Sequence, residues 1–139
     1  HPEYRRQRQM CIRDSMCGRH NPNYYKKYKK WCDEYFYLPH REETRGIGGI
    51  FFDYKKKNFE KNFSFVRDVG VTFQEIFNKI IQRKIKKKWA IKDKEEQYIK
   101  RGRYAEFNLL YDRGTKFGLK TGGNIEGILM SLPPLAKWK

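Results

Sequence analysis

The stretch RYAEFNLLYDRGTKFGLKTGG, Arg103 to Gly123, decides how the C-terminal part of the chain is to fold. Tyr104 to Tyr111 predicts a strand. Asp112-Arg113-Gly114-Thr115 carries turn-forming residue types, and Lys116 to Thr121 then predicts the returning strand of a hairpin. Gly122-Gly123 breaks that strand. Beyond it, Ile125 to Leu132 predicts a short helix closed by Pro133-Pro134. Working back from Arg103, Asp93 is placed to cap a helix running through Ile99, with Glu95 and Glu96 in its first turn. Phe63 to about Trp89 predicts a long helix, because Phe65, Val69, Thr72, Phe73, Ile76, Phe77, Ile80 and Ile81 recur on one side. Its end, RKIKKKW, is strongly basic, which suits a helix C-terminus.

Further upstream, Lys55 to Asn62 predicts a polar loop, and RGIGGIFFDY, Arg45 to Tyr54, predicts a strand entered through glycines. Asn21-Pro22 predicts the start of a helix that Pro39 stops, with Tyr24, Tyr28, Trp31, Tyr35 and Leu38 on one apolar face. Helices and an antiparallel hairpin, without regular βαβ alternation, indicate an α+β fold. The stretch RRQRQMCIRDS, Arg5 to Ser15, resembles translated adapter or vector sequence. Residues 1–19 are therefore expected to be a non-native or disordered leader, and residues 20–139 the folded domain.

The chain has 139 residues, enough for one domain able to bury roughly two-thirds of its unfolded surface. Thirty-two Lys and Arg against sixteen Asp and Glu give a net charge of +16. Mean hydropathy is −0.99, yet aromatics make up 17% of the chain, a load that argues against disorder. No apolar run approaches the roughly 18 residues that span a bilayer. Cys11, Cys17 and Cys32 form no C-x-x-C pair, and their odd number fits free thiols better than a disulfide framework. Neither their spacing nor His20 makes a zinc ribbon.

Several chemistries are excluded by spacing. Gly46-Ile47-Gly48-Gly49 leads into a predicted strand, not a helix, so it is no dinucleotide fingerprint. No Walker A lysine, no nucleophile elbow and no second metal ligand at helical spacing from His40 is present. What remains is a concentration of Arg, Asp and Gly at predicted turns: Arg41 and Arg45, Asp112 and Arg113, then Gly122-Gly123-Asn124. Arginine forks bind carboxylates in two-point fashion, and backbone N–H groups beside glycines approach anions closely. The same residues equally suit a salt bridge beside turn glycines.

HREETRGIGGIFFD, RYAEFNLLYDRGTKFGLKTGG and ILMSLPPLAKW together resemble oxygen-dependent coproporphyrinogen-III oxidase, and NPNYYKKYKKWCDEYFYLPH resembles the helix preceding them in that family. The likeness runs from about His20 to Lys139. It implies part of a large antiparallel β-sheet flanked by helices, and a cytoplasmic homodimer assembled through Tyr104 to Lys139. The implied reaction is oxidative decarboxylation of two propionates of coproporphyrinogen III to vinyl groups, with dioxygen as oxidant, in haem biosynthesis. No cofactor is implied as required, with manganese an option in bacterial members.

By the same resemblance Asp112, Arg113 and Arg45 are the catalytic group. Asp112 would hydrogen-bond or deprotonate pyrrole N–H, and Arg113 or Arg45 would hold a propionate or stabilise the fold. Gly122, Gly123 and Asn124 match a substrate-contacting loop, although many members carry Arg where Asn124 stands. Tyr54 stands where a second Asp is common, and Gly127 where Ser is common. His40 matches a histidine proposed as a metal ligand in bacterial members, and equally suits a structural role. The family's N-terminal half, with its GGG-x-D-L-T-P-like segment, has no counterpart here, so the chain alone is expected to be inactive. Two alternatives are a small basic nucleic-acid-binding module built on Lys84 to Lys88, and a non-catalytic dimerisation fragment.

Overall fold

In a computed structural model, which describes residues 14–46 and 49–139, helices dominate. Residues 14–20 form α1, followed by α2 (Tyr24–Tyr35), β1 (Tyr37–Leu38), a 3-10 turn (Pro39–Arg41) and β2 (Glu43–Thr44). The rest of the chain carries α3 (Phe59–Lys84), α4 (Ile91–Leu110), α5 (Arg113–Lys120) and α6 (Ile125–Leu129). Two compact units divide the chain: His1–Cys32 with Gly49–Lys88, and Asp33–Gly48 with Trp89–Lys139.

The first unit is organised by aromatic side chains at helical spacing. Tyr24 and Tyr28, one turn apart on α2, pack on Phe65 of α3 with ring centroids 5.0 and 5.7 Å away, and Phe52 closes the cluster 5.0 Å from Phe65. Met16 and Cys17 are buried in the same core, so packed structure begins N-terminal of His20, inside the stretch expected to be a leader. Residues 1–13, including the adapter-like sequence up to Arg13, lie outside the described residues. Cys17 and Cys32 are buried free thiols, and burial, with the charge of Asp14, pushes Cys17 up to about 11. Lys55 reaches over the faces of Tyr24, Tyr28 and Phe65 at 4.3, 5.0 and 5.2 Å and donates to the Tyr28 hydroxyl.

α3 is the long helix the apolar spacing predicts, beginning four residues earlier, at Phe59. Glu60 in its first turn and Arg83 and Lys84 in its last suit the helix dipole. The predicted strand at RGIGGIFFDY does not form where it is described: Gly49 to Lys56 has no regular secondary structure, and Ile47 and Gly48 lie outside the described residues. A strand needs an edge to pair with. Here the backbone instead finds single partners, Phe51 N–H donating to the Tyr28 carbonyl at 3.1 Å and Gly49 N–H to Cys32 Sγ at 3.3 Å. The side chains of Phe51 and Phe52 are satisfied by helix-borne rings, Trp31 and Tyr28 respectively.

In the second unit, β1 and β2 pair antiparallel with Tyr37 opposite Thr44 and Leu38 opposite Glu43. This is the sheet among the described residues, so the fold is mostly helical with a small antiparallel ribbon, and the large sheet implied by the resemblance is not seen. The predicted strand Tyr104 to Tyr111 is helical. α4 runs 20 residues, and Gly102, Ala105 and Phe107 form its buried side. Its N-cap is Ala90 rather than Asp93, whose carboxylate accepts from the Ala90 N–H at 2.8 Å. The predicted hairpin is also absent. Asp112 is the N-cap of α5, its carboxylate accepting from Thr115 N–H at 2.7 Å, so the Asp-Arg-Gly-Thr sequence starts a helix and does not reverse a strand.

α5 ends in a left-handed Gly122 (φ +69°), with Gly123 N–H donating to the Gly118 carbonyl at 3.0 Å, and Asn124 then caps α6 through Gly127 N–H. The C-terminal segment returns over α4: Lys137 N–H donates to the Tyr98 carbonyl at 3.1 Å, and its ammonium pairs with Glu95 at 2.6 Å. At Gly102 an added Cβ would collide with the Lys137 carbonyl oxygen. In an open helix Gly→Ala gains about 1 kcal/mol of stability. Gly102→Ala is expected to do the reverse, lowering the unfolding free energy by about 1–2 kcal/mol in a urea titration. A rise would mean that the C-terminal segment is not seated on α4.

Candidate functional site

The residues singled out by the sequence are distributed unevenly. Arg45, Asp112, Arg113 and His40 all belong to the second unit, held by the β1–β2 ribbon and the junction of α4 with α5. Arg45 follows β2, its backbone N–H donating to the Phe36 carbonyl at 2.9 Å. Its guanidinium carbon lies 4.1 Å from the Phe36 ring centroid, 4.8 Å from Tyr104 and 5.0 Å from Phe107. Three aromatic faces thus hold the cation in place, and among the described residues its N–H groups take no hydrogen-bond partner. Phe107, almost fully buried, is the floor of this box.

Asp112 is set by the end of α4. Tyr111 and Asp112 N–H groups both donate to the Phe107 carbonyl, at 2.8 and 2.9 Å, which closes the helix and turns the chain into α5. Asp112 Oδ2 accepts from the backbone N–H and the hydroxyl of Thr115 at 2.7 and 3.0 Å, and Oδ1 accepts from the Tyr35 hydroxyl at 3.3 Å. Burial by itself pushes this carboxyl up. The Thr115 and Tyr35 hydrogen bonds and the positive charge of Arg45 outweigh it, so Asp112 is held below its ordinary value and is ionised at neutral pH. Arg113 lies with its guanidinium 5.3 Å from the Tyr35 ring centroid. Tyr35 thus touches both Asp112 and Arg113, and the charge of Arg45 acts on Asp112.

Gly122, Gly123 and Asn124 are not beside them. They follow the C-terminus of the eight-residue α5, whereas Asp112 caps its N-terminus, a separation along the axis of about 12 Å. In the other unit, an apolar cavity of about 350 Å³ opens between Ile50 and the α3 residues Val69, Phe73, Ile76 and Phe77. None of the residues implied by the resemblance lines it.

His40 sits in an ion-pair cluster that the sequence did not reveal. Glu106 on α4 receives Arg41 through two parallel contacts, Nε to Oε2 and Nη2 to Oε1, both 2.6 Å. His40 Nε2 lies 2.9 Å from Glu106 Oε2 and Nδ1 lies 2.8 Å from the Tyr111 hydroxyl. A carboxylate only accepts, so Nε2 carries a proton and donates to Glu106, while Nδ1 is engaged with the Tyr111 hydroxyl. Arg103 adds a second cation, pairing with Glu43 and standing 3.8 Å from Glu106 Oε1. The hydrogen bond from Arg41 lowers Glu106 most and burial opposes it. His40 and the charges of Arg41 and Arg103 add to the lowering, and Glu106 falls to about 2.

These residues do not fit a manganese ion. Both His40 ring nitrogens are engaged, Glu106 is occupied by Arg41, and among the described residues no group of three His, Cys, Asp or Glu side chains could hold a metal. The signal for Glu106 was present in the sequence. It lies three residues after Arg103, a helical neighbour, and the Arg41 guanidinium needs a carboxylate if buried.

A carboxyl lowered on folding contributes stability above its unfolded value and loses it as pH falls toward the folded one. The Glu106 contribution is thus complete above its ordinary 4.5 and declines toward about pH 2. Glu106→Gln is expected to lower stability at pH 7 by about 1–2 kcal/mol, since it replaces a charge-assisted pair with Arg41 by a neutral amide. It should also make the acid limb of stability shallower between pH 5 and 2. Urea unfolding at pH 7 and pH 3 measures both, and equal losses at the two pH values would contradict the assignment.

The family model described as coproporphyrinogen III oxidase matches residues 7–139. Oxygen-dependent coproporphyrinogen-III oxidase of Rickettsia bellii (strain OSU 85-389) is 58% identical over 123 residues, covering 88% of this chain and 44% of that protein. The proteins of the same name from Rickettsia rickettsii (strain Sheila Smith) and Rickettsia akari (strain Hartford) are 56% identical over 124 residues and 57% over 123, each again covering 88% of this chain and 44% of the relative. The chain thus spans less than half the length of the curated relatives it matches. With nearly its whole length described by one family model, the chain belongs to the coproporphyrinogen III oxidase family.

Proposed function

We propose that this chain carries the Asp112, Arg113 and Arg45 part of an oxygen-dependent coproporphyrinogen-III oxidase acting in haem biosynthesis. The substrate carries four propionate carboxylates and four pyrrole N–H groups, so its site needs fixed cations beside an ionised acceptor. The observation that supports this reading is the electrostatic coupling of Arg45 to Asp112: a guanidinium held by three rings, its N–H groups without a hydrogen-bond partner among the described residues, whose charge helps keep the Asp112 carboxylate ionised. Arg45, with Arg113, binds propionate oxygens. Asp112 accepts from pyrrole N–H and so favours the build-up of positive charge on the ring as the reaction proceeds.

At each of two propionates, the bond to the carboxyl carbon breaks and releases carbon dioxide. A neighbouring side-chain carbon loses hydrogen, and a vinyl group remains. Each oxidation removes two electrons, which pass with two protons to dioxygen to give hydrogen peroxide. The groups supplied here bind and orient, and no step is assigned to a metal. His40 belongs to the Glu106 cluster as a structural residue. Gly122, Gly123 and Asn124 would meet a propionate at the far edge of the macrocycle, at the other end of α5 from Asp112.

The proposal extends to a homodimer, formed through Tyr104 to Lys139, with a cytoplasmic location like that of a soluble bacterial biosynthetic enzyme. Support for the dimer is the exposed apolar surface of this region, where Phe117, Ile125, Met130, Leu135 and Trp138 are all more than half exposed. With no hairpin in this region, the α5–α6 pair would carry that interface.

Coproporphyrin III, the stable oxidised macrocycle that retains all four propionates, serves as the probe. Its fluorescence should report saturable binding to the chain, weakened about tenfold or more by Asp112→Asn or by Arg45→Met. Asn is itself a good helix cap, so Asp112→Asn leaves α5 intact. Binding indifferent to both substitutions would contradict the proposal. So would binding of nucleic acid that falls steeply with salt while the porphyrin fails to bind, the behaviour of a phosphate-binding module on Lys84 to Lys88.

A further inference from the structure

Tyr35, the last residue of α2, touches both members of the Asp112-Arg113 pair, and by two different parts of its side chain. Its hydroxyl donates to Asp112 Oδ1 at 3.3 Å, and its ring face lies 5.3 Å from the Arg113 guanidinium carbon. The ring cannot swing freely. It meets Phe36 edge-on at 4.9 Å and Phe107 at 5.7 Å, so the rings that surround Arg45 also brace Tyr35. Asp112 is asymmetric in consequence. Oδ2 is tied to the helix start by two bonds from Thr115, whereas Oδ1 takes one bond among the described residues, from Tyr35.

We infer that Tyr35 is a positioning residue for the tetrapyrrole site: its hydroxyl fixes the Asp112 carboxylate with Oδ1 toward the ligand, and its ring fixes the plane of Arg113. A carboxylate oxygen has two acceptor directions. Tyr35 occupies one at Oδ1 and leaves the other for a pyrrole N–H, so the Tyr35 bond persists when the macrocycle is bound. Thr115 alone would hold one oxygen and leave the carboxylate free to rotate about it. The second point of attachment removes that freedom before binding, which is where affinity is gained. The ring does the same for Arg113, whose fork must lie edge-on to a propionate to make two parallel bonds.

This inference rests on the tetrapyrrole reading of Asp112 and Arg113, and two substitutions separate its two halves. Tyr35→Phe keeps the ring and removes the hydroxyl, whereas Tyr35→Leu removes both. In the 139-residue chain, Tyr35→Phe should raise the titration midpoint of Asp112 followed by carboxylate carbon NMR, because a hydrogen bond to the charged form is gone. It should weaken coproporphyrin III binding about three- to tenfold. On an Asp112→Asn background the same substitution should change binding less than about twofold. Tyr35→Leu should weaken binding further, and that extra loss should vanish on an Arg113→Ala background.

Losses of the same size on the Asp112→Asn background as on the parent would overturn the inference, since Tyr35 would then act through general stability. An unchanged Asp112 midpoint in Tyr35→Phe would overturn it as well. If Asp112→Asn weakens binding and Tyr35→Phe does not, only the Tyr35 role falls. If the unsubstituted chain binds no coproporphyrin, the tetrapyrrole reading falls and takes this inference with it.

Discussion

A carboxylate buried under a guanidinium fork is stable only if its remaining lone pairs are also occupied, and Glu106 meets that condition. Arg41 takes both oxygens, His40 shares one of them, and Arg103 stands within Coulombic reach. Arg41 and His40 lie in the turn between β1 and β2, while Glu106 and Arg103 lie on α4. The cluster therefore ties a short ribbon, which could not stand alone, to a long helix. Leu38 of the ribbon is fully buried, and Phe36 and Phe107 meet 5.1 Å apart. Arg45 owes its position to that tie. It follows β2 directly, and its aromatic box draws one ring from the ribbon side and two from α4.

The first unit reaches order by a different route. Its core is small, with Met16, Cys17, Tyr28 and Phe65 as the buried cluster, and much of the apolar stripe on α3 remains in solvent. Phe59 stacks on Phe63 and Phe73 on Phe77, each pair one turn apart on the helix surface. Helical packing inside the unit uses Phe65 and Thr72, and the stripe continues past them to Phe77 and Ile81. Lys55 shows how a strongly basic chain accommodates its charge near a core, by laying an ammonium across ring faces and bonding it to a phenolic oxygen.

Helical periodicity made α2 and α3 legible before any coordinates, because 3.6-residue spacing survives whatever the rest of the chain does. Tyr104 to Tyr111 was not legible for a definite reason: a short run rich in Tyr, Phe and Leu fits a strand or a buried helix end equally well. Arg103 and Glu106 at i and i+3, and Asn108 donating back to the Tyr104 carbonyl, are the helical signals inside that run. Asp112-Arg113-Gly114-Thr115 was misread because Asp and Gly serve turns and helix caps alike, and only the Thr115 N–H contact decides between them. The candidate site came from family likeness, which named Arg45, Asp112 and Arg113 but not what supports them. Tyr35, Phe107 and Glu106 carry no motif, and their roles depend on contacts 60 to 80 residues apart in sequence, such as Tyr35 to Asp112 at a separation of 77.

If the Glu106 attachment holds the ribbon, residues 37–45 and α4 should resist opening as one cooperative body. Amide hydrogen exchange of the chain at neutral pH measures this directly. The account predicts that Arg45 N–H, bonded to the Phe36 carbonyl, exchanges with the same opening free energy as Tyr111 and Asp112 N–H, which are bonded to the Phe107 carbonyl. Free exchange at Arg45 while the α4 amides remain protected would contradict it, since the ribbon would then be loose and Arg45 would not be held on the rings of Phe36, Tyr104 and Phe107.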